Sequence, residues 1–218
     1  MTDFSKRAAQ ILLDTKSVLF SIDPPYTFTS GKKSPVYTDC RRLISFPNER
    51  NELMDEAAAL LMREIGDSSL NYIAGGETAG IPYAAYISDR LQKPMLYVRK
   101  QPKGFGRMAQ IEGHINDDAP KHVVLVEDLQ TDGGSKKTFI DALRNAGATI
   151  EHSFVIFHYG IFAKSEENNK AMGVKLHALT NWWAVLEVAK EGNYFAPEVL
   201  QEVESFLHAP EAWQERHA

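Results

Sequence analysis

The segment VVLVEDLQTDGGSKK, residues 123–137, places two acids and a Gly-Gly-Ser turn directly after four apolar residues. Carboxylates such as Glu127 and Asp128 can accept hydrogen bonds from ribose hydroxyls or from the water shell of a magnesium ion. Glycines let backbone amides approach an anion closely, and the start of a following helix adds a partial positive charge. A ribose that carries a phosphate would be bound by both the acidic pair and the Gly-Gly-Ser turn. If the acidic pair only capped a helix, the composition of the turn would have no explanation.

Two further loops have the composition of anion sites. GGETAG, residues 75–80, lies between an apolar run that ends at Ala74 and the helical pattern IPYAAYISDRL. Glycine-rich turns between strands and helices are also common for purely structural reasons, so this loop alone is weak evidence of function. RKQPKGFGRMAQIEG, residues 99–113, contains four cations, which are Arg99, Lys100, Lys103 and Arg107. A solvated surface loop is its default interpretation, but beside two anion-suited loops we expect a lid over a phosphorylated substrate.

Short apolar runs that must position these loops alternate with helical or loop segments from Asn71 onward. The runs are NYIAG, PMLYVRK, HVVLVED and HSFVIFHY. Strands that are apolar on both faces are typical of a parallel sheet covered by helices on both sides. In such a sheet the ligand crevice lies at the carboxyl ends of the strands. We expect one buried strand over 123–126, with Glu127 and Asp128 emerging at its end.

Amphipathic helices are predicted before these runs. Apolar residues with helical spacing recur from Ala8 to Leu19, and again from Leu53 to Ile65 in a run that begins through Pro47. Between them, YTFTSGKKSPVYTDCRR lacks a helical period and favours short strands or an ordered loop. PEVLQEVESFLHAP predicts a final helix. We expect a single domain over 1–218, made of an N-terminal hood at about 1–45, a core at about 46–180 and C-terminal helices at about 181–218.

Composition and charge argue against several classes of protein. The 218 residues are 44% hydrophobic and 24% charged, as in ordinary globular proteins. The formal net charge of -5 argues against a general nucleic-acid or membrane surface, because both partners require a basic face. A single cysteine, Cys40, and a polar N-terminal stretch indicate a cytoplasmic protein. Seven scattered histidines and one cysteine predict no zinc cluster.

The motif of residues 123–135 resembles that of the type I phosphoribosyltransferases: an apolar run, two acids, two variable residues, then Thr/Ser-x-Gly-Gly-Ser/Thr. FTSGKKSPVYTDCRR, GGETAGIPYAAYISDR and YVRKQPKGFGRMAQIEG, in this order before VVLVEDLQTDGGS, are similar to segments of the orotate phosphoribosyltransferases, from about Ser17 to Tyr159. The resemblance implies an α/β fold of the type I phosphoribosyltransferase class, with a central parallel sheet flanked by helices and a small N-terminal hood. It also implies transfer of ribose 5-phosphate from phosphoribosyl diphosphate to orotate, giving orotidine monophosphate and diphosphate.

The resemblance also implies roles for residues at matching motif positions. Glu127 and Asp128 are expected to hold the ribose hydroxyls, and with Lys103 they are the candidate catalytic residues. Magnesium is the implied cofactor, held mainly by the substrate diphosphate near Asp128 and not directly by the protein. The residues expected to cradle the 5-phosphate are Thr131, Asp132, Gly133, Gly134 and Ser135, and those expected at the diphosphate are Gly75, Gly76, Glu77, Thr78, Ala79 and Gly80.

The lid implies a partner subunit. In this family Arg99, Lys100 and Lys103 would reach the diphosphate, usually across a dimer interface, so we expect a homodimer with shared active sites. Phe105 stands where the lid usually has His, which removes a hydrogen-bond donor. Thr29 and Ala79 replace lysines found in some members.

Asp132 is a further departure from the family pattern, since it lies inside the phosphate turn. A carboxylate facing the ligand there would be repelled by it. We therefore expect the Asp132 side chain to point outward and to cap the following helix.

The carboxylate of orotate should be bound by a cation. His158 and Tyr159 fall where other members place an arginine. We nominate Arg41, with backbone amides around Val36 and Tyr37 at the ring edge. A surface ion pair of Arg41 with Asp39 or Glu49 is a nearly equal alternative.

Two other functions remain open at this point. One is a phosphoribosyltransferase that uses another base, such as a purine. The other is a non-catalytic regulator of transcription that binds phosphoribosyl diphosphate, but this function predicts a basic face that the acidic net charge argues against.

Overall fold

The computed structural model describes residues 3–28, 31–103 and 110–217. Its strands are β1 (Val18–Phe20), β2 (Tyr26–Thr27), β3 (Lys33–Ser34), β4 (Val36–Thr38), β5 (Tyr72–Gly76), β6 (Met95–Val98), β7 (Ile111–Glu112), β8 (His122–Gln130), β9 (Thr149–His158) and β10 (Lys175–Asn181). Its α-helices are α1 (Asp3–Asp14), α2 (Pro47–Glu64), α3 (Gly80–Leu91), α4 (Lys137–Asn145), α5 (Ala163–Met172), α6 (Trp182–Glu191), α7 (Pro197–His208) and α8 (Pro210–Arg216). Within these ranges no helix combines the length and apolar character that crossing a membrane requires.

The central sheet has the strand order β10-β9-β8-β5-β6-β7. All its neighbouring strands are parallel except β6 and β7, which are antiparallel. Apolar clusters lie on both faces, one beneath α1, α2, α3 and α6 and the other beneath α4. The predicted α/β fold with a helix-flanked central sheet is confirmed. The two-residue edge strand β7 was not predicted, because so short a segment has no readable period.

Strand β8 is longer than the sequence indicates. Its pairing with β5 ends at Gly75 and Val126, but its pairing with β9 continues to Gln130 and His158. The expectation that the strand ends at Val126 is therefore wrong, and the two acids lie inside the strand. Past Val126 β8 has a paired strand on one side only, because its pairing with β5 has ended, and this gap opens the crevice at the carboxyl ends of the strands.

The N-terminal helices follow the predicted pattern with one exception. In α2, Pro47 occupies the first turn, where its missing N–H removes no hydrogen bond, and the apolar face from Leu53 to Leu61 is buried. In α1 the helix ends at Asp14, and Lys16 adopts a φ of 54°. The chain therefore reverses before Leu19, which lies in β1 instead of extending the helix as predicted.

A small hood of short strands covers one side of the crevice. β1 pairs with β4 and β2 pairs with β3, both antiparallel, which confirms the short strands predicted between the first two helices. After β4 the chain forms the 3-10 helix Cys40–Ser45. The Tyr83 hydroxyl of α3 donates a 2.5 Å hydrogen bond to the Cys40 carbonyl, which ties the hood to the helix beside the crevice.

One apolar cluster connects the hood, the sheet and the C-terminal helices. It includes Leu12, Val36, Leu53, Val126 and Trp213, each almost completely buried. Since residues that are distant along the chain share this core, the crevice is bordered by elements packed against one another.

Candidate active site

A cleft of about 640 Å³ lies at the carboxyl ends of β5 and β8. It is bordered by the 76–80 loop, the paired acids, the start of the lid, the turn before α4 and the hood. The lining residues are Thr38, Asp39, Arg41, Gly76, Glu77, Thr78, Ala79, Gly80, Lys100, Gln101, Glu127, Asp128, Leu129, Ser135, Thr138 and Phe139. The cleft thus brings together segments from all three loops that the sequence indicated.

The glycines of the 75–80 loop have a packing role. A Cβ on Gly75 would lie 2.7 Å from the Ile81 Cα, and one on Gly80 would lie 2.2 Å from the Val126 carbonyl oxygen. Both positions need glycine so that α3 can pack closely against the sheet. Gly75 does not line the cleft, whereas Gly76 to Gly80 do. Close packing therefore accounts for Gly75 and Gly80. The Glu77 N–H donates to the Val98 carbonyl, so Thr78 and Ala79 are the cleft-lining residues of this loop that are left for a ligand.

Glu127 and Asp128 are consecutive strand residues, so their side chains leave β8 on opposite faces. Glu127 lies on the α4 side, where its Cγ is 3.2 Å from the position of a Cβ on Gly76. Burial raises its pKa from 4.5 to about 7, and the positive charge of Lys136 opposes this shift. Burial also raises the pKa of Asp128, opposed by hydrogen bonds from the backbone amides of Leu129 and Asp128 itself.

Lys136 is a buried cation that the sequence analysis missed. Its side chain is 1% exposed, and its Nζ donates a 3.1 Å hydrogen bond to the Ser153 hydroxyl. Burial lowers its pKa to about 8, while the nearby Glu127 raises it. A signal was present, because Leu143, Ile140 and Lys136 follow one helical face in steps of three and four. Lysine is rarely fully buried, so the residue type alone gave no reason to expect this position in the core.

The predicted phosphate turn forms a sharp backbone reversal before α4. Gly133 adopts a φ of 78°, and a Cβ there would lie 2.8 Å from Gln130 Nε2. The Asp132 carboxylate accepts a 3.0 Å hydrogen bond from the Gly134 N–H inside the turn. Neither the 3-10 turn Gly134–Lys136 nor α4 has a side-chain cap, so the prediction that Asp132 caps the helix is wrong. Ser135 lines the cleft, whereas residues 131–134 are not among its lining residues.

The base of the lid is held by carboxylates of the same chain. Arg99 Nη1 lies 3.4 Å from the Glu112 carboxylate, with which Lys103 also forms an ion pair. Arg99 and Lys103 do not line the cleft of their own chain, whereas Lys100 does. The backbone N–H of Lys100 donates a 2.7 Å hydrogen bond to the Glu77 carboxylate. Three residues named in the sequence analysis lie outside the described residues. They are Phe105 and Thr29, which depart from the family pattern, and the lid cation Arg107.

Arg41 borders the cleft from the hood, paired with Asp39 at 2.7 Å. This is the ion pair that the sequence offered as the alternative to ligand binding. Val36 and Tyr37 do not line the cleft, and the Val36 N–H bonds to the Ser34 hydroxyl at 3.2 Å. Of the three residues nominated for the base, only Arg41 therefore faces the cleft.

The remaining lining residues were missed by sequence reasoning. They are Thr38, Asp39, Gln101, Leu129, Thr138 and Phe139. All lie next to predicted segments, so their neighbours were found but their side chains had no distinctive chemical type. Among the described residues no three His, Cys, Asp or Glu side chains cluster as a metal site. A magnesium ion at this cleft would need oxygen ligands from its substrate in addition to Glu127 or Asp128.

Known proteins with similar sequences cover almost the whole chain. The orotate phosphoribosyltransferase of Rhizobium rhizogenes is 51% identical over 98% of this chain and 94% of its own length. That of Dinoroseobacter shibae is 51% identical over 99% of this chain and 94% of its own. A scan against protein-family models found no match.

Solved structures with the same architecture include members of the same enzyme class. The orotate phosphoribosyltransferase of Aeropyrum pernix superposes with a TM-score of 0.70 and 29% identity, over 86% of this chain and 99% of that one. The UMP synthase of Leishmania donovani gives 0.76 and 27%, over 93% of this chain but 42% of that longer one. Identity near one half over the full length shows the family: this chain belongs to the orotate phosphoribosyltransferases, as its motifs predicted.

Proposed function

We propose that this protein transfers ribose 5-phosphate from phosphoribosyl diphosphate to orotate, a step of pyrimidine nucleotide synthesis. The bond from the anomeric carbon to the diphosphate oxygen breaks and a bond to N1 of orotate forms, with inversion at that carbon. The orotate N1 proton is released, and the products are orotidine monophosphate and diphosphate. The observation that carries this proposal is the cleft in which the 76–80 loop faces Glu127 and Asp128 in a chain of this family.

The acids are proposed to bind the ribose and to stabilise the transition state. As the diphosphate departs, positive charge develops on the sugar, and carboxylates held in a partly buried cleft stabilise such charge strongly. Burial raises the pKa of Asp128, and the backbone amides of Leu129 and Asp128 that donate to its carboxylate oppose this shift and favour the ionised form. No nucleophilic side chain is needed for this reaction.

Backbone amides are proposed to bind the two phosphate groups. The turn at 131–135 offers the Gly133 N–H and the start of α4 to the 5-phosphate, and residues 78–80 offer their N–H groups, with the start of α3, to the diphosphate. Magnesium bound with the diphosphate would neutralise its charge and make it a better leaving group. Asp128 is the carboxylate that we assign to the neighbourhood of this ion.

The lid cations are proposed to act on a partner subunit. Arg99 and Lys103 face Glu112 and not the cleft of their own chain, which supports a homodimer with shared sites. Closure of the lid over the substrates would exclude water, which otherwise could hydrolyse the activated sugar. A buried free thiol at Cys40 fits the cytoplasmic location that we propose.

The first experiment follows the ultraviolet absorbance of orotate with purified protein and phosphoribosyl diphosphate, with and without magnesium. We expect a magnesium-dependent loss of the orotate signal. If orotate is unchanged while phosphoribosyl diphosphate still binds by calorimetry, the base assignment is wrong, and the same assay with purine bases identifies the acceptor.

A further inference from the structure

Helix α5 packs against the sheet through polar side chains. Its buried residues are Ser165 and Asn169, four positions apart and therefore on one face. A helix of a globular protein normally buries an apolar stripe on that face. Since hydroxyl and amide groups gain little from burial as such, the partners of their hydrogen bonds indicate what this helix does.

Those partners lead to the turn at 131–135. Gln130, the buried last residue of β8, donates from Nε2 to Ser165 at 2.7 Å and to Asn169 at 3.3 Å. The same Nε2 lies 2.8 Å from where a Cβ on Gly133 would be. Gln130 therefore forms the back of the turn, and α5 holds Gln130 in place.

Asn168, on the same helix, contacts the backbone of the turn directly. Its Nδ2 donates a 2.8 Å hydrogen bond to the carbonyl oxygen of Asp132. In a planar trans peptide the carbonyl and the following N–H point in opposite directions. The bond from Asn168 thus directs the Gly133 N–H away from α5. That N–H has no acceptor among the described residues, although Gly133 is buried.

We propose that Asn168 is a positioning residue for the 5-phosphate, because it fixes the peptide between Asp132 and Gly133 so that the Gly133 N–H is directed at the phosphate. The inference rests on the proposed function, which assigns the 5-phosphate to this turn. Asn168 acts through the Asp132 carbonyl and does not line the cleft.

The test compares three variants of α5. Asn168→Leu keeps the shape of the side chain and removes the donor, and Asn168→Asp keeps the shape but places an acceptor against the Asp132 carbonyl. Glu167→Leu changes the exposed neighbour and is the matched control. We expect Asn168→Leu to raise the Kd for ribose 5-phosphate, measured by calorimetry, roughly three- to tenfold, and Asn168→Asp to raise it further. Glu167→Leu should leave it unchanged.

Steady-state kinetics separate positioning from a general structural role. The KM for phosphoribosyl diphosphate should rise in parallel with the Kd in both Asn168 variants, while the KM for orotate stays within about twofold of the wild type. Equal rises in the two KM values, or an unchanged Kd for ribose 5-phosphate, would overturn the proposal. Asn168 is half-buried at the surface, and Asn168→Ser supplies a second variant if Asn168→Leu does not fold.

Failure of this inference is distinguishable from failure of the proposed function. Ribose 5-phosphate binding needs no orotate, so Asn168 dependence of that binding would stand even if the base were another. If the wild type consumes orotate and the Asn168 variants bind ribose 5-phosphate normally, the positioning role alone is rejected. A wild type that binds no ribose 5-phosphate rejects the positioning role, and one that in addition consumes no orotate rejects both.

Discussion

The acids and the cations of the cleft are held in opposite ways. Glu127 and Asp128 belong to a strand of the central sheet, and burial raises the pKa of both carboxyl groups. Neither has a cation within 4 Å among the described residues. Their position is fixed by the backbone of β8, and their charge is not neutralised by a neighbour in contact.

Two cations, Arg41 at the edge of the cleft and Lys103 in the lid, are by contrast exposed and already paired. The Arg41 side chain is 61% exposed and pairs with Asp39, and the Lys103 side chain is 51% exposed and pairs with Glu112. Exposed ion pairs contribute only about 0–1 kcal/mol each. An anionic substrate can therefore take the place of Asp39 or Glu112 as the partner of the cation at little cost in free energy. Glu127 and Asp128, by contrast, are held in the strand and keep their positions when a substrate binds. The difference indicates that the acids Glu127 and Asp128, here called the acidic floor, are fixed. The cations Arg41 and Lys103 can exchange their partners.

The largest expected effect is at the fixed floor. Replacing Asp128 with Asn keeps the shape and removes the charge that stabilises the developing ribosyl cation, so kcat should fall by about 10²–10³. The matched control is Asp141→Asn, which removes an exposed carboxylate of α4 paired with Lys137. A loss below tenfold in steady-state assays, with a normal melting temperature, would contradict the role of the floor.

The lid cation should have the next largest effect. Lys103→Ala should lower kcat by roughly 10–100-fold, because the departing diphosphate loses a positive charge. Mixing and refolding equal amounts of Lys103→Ala and Asp128→Asn chains should restore about a quarter of the wild-type activity, since half of the dimers then contain one intact shared site. Absence of any restoration would place the lid on the cleft of its own chain.

At the hood, Arg41→Ala should raise the KM for orotate about tenfold and change the KM for phosphoribosyl diphosphate less than twofold, because only the base carries a carboxylate for Arg41 to bind. Arg42→Ala, one residue further in the same 3-10 helix, is the control. Equal changes in both KM values would mean that the Arg41–Asp39 ion pair is only structural.

The smallest effect concerns stability, at Glu127. The folded protein holds this proton more tightly than the unfolded chain, since the pKa rises from 4.5 to about 7. Ionisation of Glu127 therefore lowers the free energy of unfolding. This loss grows as the pH rises from 4.5 to about 7 and is constant above pH 7. Glu127→Gln should unfold with a free energy about 1–2 kcal/mol higher at pH 8 and equal to the wild type at pH 4. Urea melts at both pH values, with Glu166→Gln as an exposed control, measure this; a gain independent of pH would contradict it.

The sequence allowed the sheet and the positions of its loops to be predicted, because apolar runs and glycine turns are local signals. It could not indicate how far β8 continues, since that length depends on pairing with β9 and not on the residues of β8 alone. The same applies to Lys136, whose burial is decided by Ser153 on another strand. Residue type predicted the chemistry of the cleft, and long-range packing decided which side chains face it.

The clearance between α3 and the sheet has an evolutionary consequence. Gly75 and Gly80 each leave no room for even one methyl group. We expect both to be invariant in any alignment of relatives, including relatives that accept a different base or that have lost activity altogether. Their invariance would report helix packing and not ligand contact, so variation at Glu77 and Thr78 is the better guide to how substrate preference has diverged.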